Sequence, residues 1–365
     1  MKPLIFVTAK KVIITGGGTG GHVFPALAIA EEMKRRGWIV LYVGTDRGME
    51  SKLVPEAGFP FFAVKTGAVK DQSLFQICKT VWHLLQGLFW ALWFIFKETP
   101  QAVIGVGGYV SVPVCFAAFI LRTPLYLQEQ NSSVGIANRI LGRLAKKIFL
   151  GFPEAASYFS SKKCVNSGNP LRSVFYQKSK INYDPNVQFL LVLGGSQGSK
   201  AINDAVVGFL PKFFEKFPNA QVFHQAGQRD FESVRTATSN RFVSNYCCEP
   251  FIKDIYSLYQ KASLVIGRSG ALTVSELIQV GRPAIFVPYP RTGQNDQVTN
   301  AHLISSHGAA RVVEQGAGFA ERLEKTTLET FEASVLTRMA QGYVPLQFGN
   351  ALEIIAEEIA NHSFS

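Results

Sequence analysis

The sequence has few of the residues that cross-link or charge a small secreted protein. It contains only five cysteines in 365 residues, and none form a CxxC pair. A disulfide framework or a structural zinc site is therefore not expected, and a reducing compartment fits better. Charged residues make up 17% and apolar residues 47%, which excludes a disordered chain. The 32 glycines follow no three-residue period, which excludes collagen. The length suggests two domains, because single cores rarely exceed about 250–300 residues.

Long apolar runs are also scarce. The apolar run before Lys10 is short and lacks a small-residue cleavage site, so we expect no signal peptide and a cytoplasmic protein. The most apolar segment, residues 74–96, contains Trp82, Trp90 and Trp93, but polar residues interrupt its first half. A membrane-spanning helix needs about 20 apolar residues. We predict that this segment touches a membrane surface peripherally, with a buried core helix as the alternative.

Charge is divided unevenly along the chain. Residues 1–168 contain 19 Lys and Arg against 9 Asp and Glu, whereas residues 169–365 contain 18 against 17. A basic first half suggests an anionic partner, either an anionic membrane surface or nucleic acid, and a simple solubility charge is the alternative. No module that combines aromatic and basic residues for nucleic-acid binding is evident, so we expect no nucleic-acid partner.

A pattern of strand, glycine loop, helix and strand occurs in both halves, which is typical of parallel α/β sheets. In the first half it comprises a strand at 11–15, a loop at 16–21 and a helix from His22 to Arg36. The second half repeats it from the strand at 189–193, and the two loops begin about one domain apart. We predict a first domain over 1–168, a second over 169–345, and a C-terminal segment, 346–365. Whether its helix packs back on the first domain is left open.

The glycine loops suggest phosphate-containing ligands, because their backbone N–H groups can approach an anion closely. Neither is a P-loop, since His22 stands where the first would need Lys and the second reads GSK. A third loop, residues 268–270, leads into a helix with Glu276 one turn in. This pattern suits a nucleoside diphosphate, with Glu276 on the ribose hydroxyls, and an ordinary capped helix is the alternative. The sequence has no DxD pair and no metal-ligand spacing, so we expect no bound metal.

Seven segments resemble one enzyme family in order and spacing. They are GGGTGGHVFPALAIAEEM (16–33), GVGGYVSVP (105–113), EQNSSVGIANR (129–139), GNPLR (168–172), GGSQG (194–198), GRSGALTVSEL (267–277) and QNDQVTNA (294–301). The family is the bacterial N-acetylglucosaminyltransferase of peptidoglycan synthesis, and the resemblance runs from about residue 11 to about residue 360.

This resemblance implies an α/β protein of the GT-B fold, with two Rossmann-like domains facing a central cleft. It implies inverting transfer of GlcNAc from UDP-GlcNAc to the muramyl 4-hydroxyl of lipid I, forming lipid II, without a metal or cofactor. It also implies a peripheral position on the cytoplasmic face of the plasma membrane. Further partners would be an anionic membrane surface and proteins of cell-wall synthesis and cell division.

The resemblance also assigns site residues. Near the donor sugar or diphosphate, the cleft would be lined by Thr19, Gly20 and Gly21, while Asn131 would hold the sugar and Gln297 would bind its hydroxyls. The diphosphate would be approached by Arg172 and Ser196, and uracil would be contacted by the backbone of Ile252. The diphosphate and ribose would be held by Ala271, Leu272, Thr273, Val274, Ser275 and Glu276. Two positions depart from the family pattern. Residues 67–70 lack an Arg that many relatives place near the acceptor, and Asp296 replaces a common His or Gln.

His22 is the first candidate for the general base. An inverting transfer requires the acceptor hydroxyl to attack directly and to lose a proton, and a neutral imidazole can accept it. The positive end of a helix disfavours imidazolium, so a histidine at that position tends to be neutral. A capping or ligand-positioning role is the alternative. Glu129 is the rival base, because it lies where an α/β strand ends.

Three other functions remain compatible with the sequence. Another GT-B enzyme, such as a glycolipid glycosyltransferase or a UDP-GlcNAc 2-epimerase, would share the donor motifs. A dinucleotide oxidoreductase would use only the first glycine loop, with Asp46 ending the second strand. A nucleic-acid-binding protein would use the basic half and would bind in a strongly salt-dependent manner.

Overall fold

The computed structural model describes residues 10–66, 74–176, 183–195, 198–239, 244–290, 296–346 and 348–361, without the side chains of 74–79 and 345. The chain divides into two compact units. The first unit comprises Met1–Ser173 and Phe348–Ser365, and the second comprises Val174–Gln347.

Parallel strands form the centre of the first unit. They are β1 (Lys11–Thr15), β2 (Ile39–Gly44), β3 (Phe61–Ala63), β4 (Ala102–Gly105), β5 (Leu125–Glu129), β6 (Lys147–Leu150) and β7 (Cys164–Asn166). The helices between them are α1 (Gly20–Arg35), α2 (Glu50–Glu56), α3 (Leu74–Glu98), α4 (Ser111–Ile120) and α5 (Ile136–Leu141). The sheet order is β3-β2-β1-β4-β5-β6-β7, and every pairing is parallel.

Both faces of this sheet are covered, as a parallel sheet requires. Val12, Ile13 and Ile14 of β1 are all fully buried, although successive side chains point to opposite faces. Ile13 belongs to a core cluster with Phe94 of α3, and α3 packs along α4 over this cluster.

The second unit repeats the design with six parallel strands. They are β8 (Phe189–Leu193), β9 (Gln221–Gln225), β10 (Tyr246–Glu249), β11 (Leu264–Gly267), β12 (Ala284–Phe286) and β13 (Ala310–Val312), in the order β10-β9-β8-β11-β12-β13. The helices are α6 (Lys200–Lys216), α7 (Phe231–Thr238), α8 (Ile255–Lys261), α9 (Ala271–Val280), α10 (Asp296–Ser306), α11 (Phe319–Thr330) and α12 (Ala333–Gln341). Phe213 of α6 packs edge-on against Phe331 in the core of this unit, with ring centroids 4.9 Å apart.

The last helix, α13 (Ala351–Asn361), returns to the first unit and packs against α1. Its apolar side chains, including Leu352, Ile355 and Ile359, are buried. At its other side, the Lys147 ammonium lies 3.4 Å from the Glu358 carboxylate.

The predicted elements agree closely with the structure. The strands at 11–15 and 189–193 and the helix at 271–280 have the predicted bounds. Helix α1 begins at Gly20, two residues before the predicted start, because Thr19 is the N-cap and its carbonyl already accepts from His22 and Val23. None of the helices in the described ranges is long and apolar enough to cross a membrane.

Candidate functional site

The order of each sheet marks one place where ligands are expected. In the first sheet the strand order reverses direction between the neighbours β1 and β4, and in the second between β8 and β11. In open α/β sheets, ligands bind beyond the carboxyl ends of the strands at this switch point. The predicted glycine loops follow β1 and β8, so the fold places both of them there.

The first glycine loop packs directly on the loop that follows β4. A Cβ at Gly108 would lie 2.6 Å from the Gly17 carbonyl oxygen, and one at Gly16 would lie 3.1 Å from the Cβ of Val106. Gly18 has a φ of +86°, a conformation that favours glycine. Close backbone packing therefore requires several of these glycines, independently of any ligand.

His22 lies in the first turn of α1 with one ring nitrogen engaged. Its Nδ1 is 3.2 Å from the Gly17 carbonyl oxygen and 3.2 Å from the Thr19 hydroxyl. Because a carbonyl can only accept, Nδ1 carries the proton in the neutral ring and Nε2 has the free lone pair. The ring edge with Nε2 faces Gly107, where a Cβ would come within 3.0 Å of it.

The structure favours neutral His22 for a reason that the sequence did not give. Burial is the largest effect and lowers the pKa of His22 below its ordinary value, while the Gly17 hydrogen bond and the Glu50 charge raise it less. The predicted neutral state therefore follows mainly from desolvation. This arrangement can accept a proton at Nε2.

Glu50 is a buried carboxylate beside the first glycine loop that the sequence motifs did not indicate. Its carboxylate is fully buried. It accepts from the Gly18 N–H at 3.0 Å, from the Thr45 N–H at 3.0 Å and from the Thr45 hydroxyl at 2.7 Å. Tyr42 also binds the first glycine loop, because its hydroxyl donates to the Gly16 carbonyl at 2.9 Å. Neither residue belongs to a glycine motif, so only the fold shows the contact.

Glu129 ends β5 and is also buried, but its oxygens face its own loop. Oε1 accepts from the Asn131 N–H at 3.0 Å, and Oε2 accepts from the Asn138 side-chain amide at 2.9 Å. Burial raises the pKa of Glu129, and its bonds to Asn131, Asn138 and Gly135 oppose that rise. The Asn138 amide also borders Gly107, the residue that faces His22. Glu129 is therefore connected through the Asn138 amide to the loop residue that faces His22.

In the second unit, α9 starts directly at the predicted nucleotide site. Gly270 is its N-cap, and helix geometry leaves the N–H groups of residues 271–273 without acceptors inside the helix. The Val274 N–H donates to Gly270, and the Val274 side chain is fully buried. Of the predicted contact residues, Ala271, Leu272 and Thr273 thus have N–H groups with no acceptor inside α9, whereas the Val274 N–H has one.

Glu276 is partly exposed one turn into α9. The Tyr259 hydroxyl donates to its Oε2 at 3.1 Å. The Tyr259 carbonyl in turn accepts from Nε of the buried Arg282 at 2.7 Å. Gln297 is connected to the same helix start, because its carbonyl accepts from the Ser269 hydroxyl at 2.7 Å. The fold therefore brings Gln297 to the start of α9.

The second glycine loop is supported by Asn203 and Arg268. The Asn203 amide donates to Ala226 at 2.9 Å, and its oxygen lies 3.0 Å from Nε2 of the buried His224. Arg268 donates to the Ser199 hydroxyl at 2.7 Å, and its guanidinium lies 5.1 Å from the centre of the Tyr289 ring. Ser196, in this loop, lies outside the described residues.

The remaining predicted residues are more scattered. Arg172 is exposed in the first unit, and its charge acts on Glu31 of α1. Ile252 is buried beyond the end of β10. Asp296 is the first residue of α10, and residues 67–70 lie outside the described ranges. Among the described residues, no group of three or more His, Cys, Asp or Glu side chains could hold a metal ion.

The first unit also has a wide exposed apolar surface, which we name the α3–α5 face. Its members are Trp82, Leu85, Phe89, Trp93 and Phe96 of α3, Phe116, Phe119 and Ile120 of α4, and Ile136 and Ile140 of α5. The Lys97 ammonium lies 5.1 Å from the Trp93 ring centre, so a cation accompanies the face. Trp90 is turned inward instead and stacks on Phe94 with ring centroids 4.8 Å apart.

Comparison with known proteins agrees with the fold. Residues 12–150 match the glycosyltransferase family 28 N-terminal domain, and residues 189–348 match the family 28 C-terminal domain. The crystal structure of Acinetobacter baumannii MurG has a TM-score of 0.78 and 30% identity, and the match covers 96% of this chain and 99% of that one. The chain is therefore a glycosyltransferase with the GT-B fold, as predicted.

Two relatives identify the family more narrowly. Both are named UDP-N-acetylglucosamine–N-acetylmuramyl-(pentapeptide) pyrophosphoryl-undecaprenol N-acetylglucosamine transferase. The Anaeromyxobacter sp. relative is 39% identical over 84% of this chain and 81% of its own length. The Cupriavidus metallidurans relative is 34% identical over 98% of this chain and 100% of its own length. The chain belongs to this family of N-acetylglucosamine transferases.

Proposed function

We propose that the protein transfers GlcNAc from UDP-GlcNAc to the muramyl 4-hydroxyl of lipid I, the pyrophosphoryl-undecaprenol-linked N-acetylmuramyl-pentapeptide, and so forms lipid II. The names of the two relatives support the donor and the acceptor, and the second relative is covered over its whole length. The epimerase alternative would not require a lipid-linked acceptor.

In this proposal the transfer is a single inverting displacement. The acceptor oxygen forms a bond to the anomeric carbon while the bond from that carbon to the diphosphate oxygen breaks. The proton of the acceptor hydroxyl goes to Nε2 of His22. The observation that carries this assignment is the bond of Nδ1 to the Gly17 carbonyl, because it leaves Nε2 as the accepting atom.

Glu129 has a different role in the proposal. Both of its oxygens already accept hydrogen bonds, one from the Asn131 N–H in the loop and one from Asn138 of α5, and the residue is only 2% exposed. A buried carboxylate with these contacts orders its loop and places Asn131 for the donor sugar. His22 alone is therefore assigned as the base.

The second unit binds the nucleotide in this proposal. The N–H groups at the start of α9, which have no acceptor inside the helix, and the positive end of that helix stabilise the diphosphate. The Glu276 carboxylate, oriented by Tyr259, accepts hydrogen bonds from the ribose hydroxyls. Gln297, Ser196, Arg172 and Ile252 keep the roles that the resemblance implies. Because amides and helix ends stabilise the departing diphosphate, we propose that the transfer does not depend on a metal.

We also propose that the α3–α5 face lies on the cytoplasmic surface of the plasma membrane. Phe89 is 69% exposed and Trp93 is 56% exposed, and aromatic side chains suit the interface between lipid headgroups and acyl chains. The basic first half of the chain favours anionic lipids. A lipid-linked acceptor would be reached from this position.

The test is transfer of labelled GlcNAc from UDP-GlcNAc to a short-chain lipid I analogue in the presence of EDTA. We expect a product whose new linkage is β by NMR coupling constants, since UDP-GlcNAc has an α linkage. A product with an α linkage would contradict inversion, and activity that EDTA abolishes and magnesium restores would contradict metal independence. Conversion of the donor without any lipid would favour the epimerase.

A further inference from the structure

The buried carboxylate of Glu50 and the imidazole of His22 are bonded to the two ends of one peptide group. The Gly17–Gly18 peptide presents its N–H, which belongs to Gly18, to Glu50 Oε2 at 3.0 Å. The same peptide presents its C=O, which belongs to Gly17, to His22 Nδ1 at 3.2 Å. In a planar trans peptide these two groups point in opposite directions. The carboxylate, the peptide and the imidazole therefore form one chain of hydrogen bonds.

From this geometry we infer that Glu50 is a positioning residue for His22 and acts on it through the Gly17–Gly18 peptide. The inference rests on the proposed role of His22 as base. A carboxylate that accepts from one end of a peptide polarises it, so the carbonyl at the other end becomes a better acceptor. The Gly17 carbonyl then holds the Nδ1 proton and orients the ring, so that Nε2 accepts from the sugar hydroxyl. Direct carboxylate partners of histidine serve the same purpose in other enzymes.

The surroundings of Glu50 are consistent with a fixed carboxylate. A Cβ at Gly17 would lie 2.3 Å from its Oε1, one at Gly48 would lie 2.1 Å from its Oε2, and one at Gly44 would lie 2.6 Å from its Cγ. None of these three glycines has a positive φ. Their lack of a side chain therefore leaves room for the carboxyl group. The Thr45 N–H and hydroxyl satisfy the second oxygen.

Glu50 is the charged group that shifts the pKa of His22. The Glu50 charge acts on the ring and raises its pKa, against the larger lowering by burial. Glu129 accepts from the Asn138 amide, which borders Gly107, and its charge is not among those that shift the pKa of His22. Removal of the Glu50 charge should therefore lower the pKa of His22, whereas removal of the Glu32 charge on α1 should not.

The decisive variant is Glu50→Gln, which keeps the shape but removes the charge. A glutamine cannot accept at both oxygen positions, so either the Gly18 N–H or the Thr45 N–H loses its acceptor. We expect kcat to fall roughly 30-fold while donor affinity changes within about 2-fold, as for other residues that orient a histidine. The acid limb of the kcat/KM profile should move to lower pH.

The matched control is Glu32→Gln. Glu32 is a buried carboxylate of the same helix as His22, but its oxygens bind Arg35 and Arg36. Its loss should reduce thermal stability without moving the acid limb. If Glu50→Gln loses activity and its acid limb stays at the wild-type pH, Glu50 only supports the fold and the inference is overturned.

A second variant covers the case in which Glu50→Gln does not fold. Gly48→Ala keeps Glu50 in the chain and forces the carboxyl group from its place by direct contact. We expect a similar fall in kcat from it. Gly208→Ala is the control, because a Cβ at this position of α6 meets nothing within 4 Å. Wild-type turnover in Gly48→Ala, with the substitution tolerated, would refute the inference.

An NMR titration separates this inference from the proposed function. The six histidines are labelled with ¹⁵N, the His22 signal is assigned by its loss in His22→Gln, and its pKa is measured without substrate. Glu50→Gln should lower that pKa even if the protein transfers nothing to lipid I. An unchanged His22 titration overturns the inference, whereas failed transfer by the wild type overturns only the proposed function.

Discussion

The two glycine loops have equivalent positions in their sheets but opposite supports. Behind the first lies the Glu50 carboxylate, which accepts from its backbone. Beside the second lies the Arg268 guanidinium, which donates to Ser199 and to carbonyls of a neighbouring loop. A carboxylate favours a protonatable group nearby, whereas a guanidinium favours an anion. In the proposed function, side chains outside the motif would therefore suit one loop to proton transfer and the other to phosphate binding.

The largest expected effect is the loss of kcat when His22 of the first unit is removed. Without that loss, the first loop would not differ from the second in the way proposed. His22→Ala should lower kcat about 1,000-fold, because the acceptor hydroxyl loses its base, and should change donor affinity within about 2-fold. Single-turnover kinetics and calorimetry measure the two quantities. His302→Ala, an exposed histidine of α10, is the control. Equal losses in kcat and in affinity would make His22 a binding residue.

The dependence of kcat/KM on pH gives a second test of His22 as the base. In the proposed function neutral His22 is the active form, and burial lowers its pKa below the ordinary value. Protonation therefore removes activity only at more acidic pH than for a free histidine. We expect the acid limb of kcat/KM to lie below the ordinary histidine pKa, and to be absent in the residual activity of His22→Ala. A limb above that value would contradict a desolvated base.

The next largest effect is in the second unit. Glu276→Ala should weaken UDP-GlcNAc binding on the order of 100-fold, because two charge-assisted bonds to ribose hydroxyls are lost. At saturating donor, kcat should change little. Tyr259→Phe removes only the hydroxyl that orients the carboxylate, so it should cause a smaller loss. If calorimetry shows that Glu276→Ala binds UDP-GlcNAc with the wild-type affinity, Glu276 does not bind the ribose.

A smaller effect is expected on membrane binding, which we assign to exposed aromatic side chains of the first unit and not of the second. The double variant Phe89→Ser/Trp93→Ser should reduce binding to vesicles that contain anionic lipid by about 10-fold or more, because two apolar side chains no longer enter the bilayer. Phe251→Ser, an exposed aromatic of the second unit, is the matched control. Trp90→Ser is not suitable, since Trp90 packs on Phe94. Co-sedimentation that is equal in all variants would refute the assignment of the α3–α5 face.

The smallest effect concerns the stability of the second unit. Burial lowers the pKa of His224 to about 3, so the unfolded chain binds a proton that the folded unit does not. Folding stability should be fully present above the unfolded pKa of 6.5 and should fall by up to about 1.4 kcal/mol per pH unit below it. His224→Gln should flatten this dependence in thermal melts between pH 7 and pH 5. His302→Gln is the control. If the melting temperature of His224→Gln depends on pH as strongly as that of His302→Gln, His224 does not cause the loss of stability.

Much of the architecture could be predicted from local pattern. Buried runs such as 189–193, each followed by glycines and a helix, specify parallel strands, because both faces must be apolar. The positions of His22 and Glu276 in α1 and α9 could be predicted, because each lies in a motif close to the start of a helix. The apolar segment 74–96 could be placed, but the directions of its side chains could not. The sequence does not distinguish Trp93, which is exposed, from Trp90, which stacks on Phe94.

The supports of the site could not be predicted in this way. Glu50 lies 32 residues from Gly18 in the chain, and the two meet only because β1 and β2 are neighbours. Gly17 illustrates the difficulty well. In the sequence it belongs to a phosphate-type glycine pattern, but in the fold the Glu50 carboxyl group occupies the space of its missing side chain. Long-range contacts of this kind depend on the sheet order, which local pattern does not contain.

The return of α13 to the first unit has a consequence for biosynthesis. The first unit comprises Met1–Ser173 and Phe348–Ser365, so the ribosome must complete the whole second unit before the first has all of its parts. At translation rates of roughly 5–20 residues per second, the 174 residues of Val174–Gln347 take about 10–35 s. During that interval the nascent first unit lacks the helix that covers α1, and its apolar surface is available to chaperones.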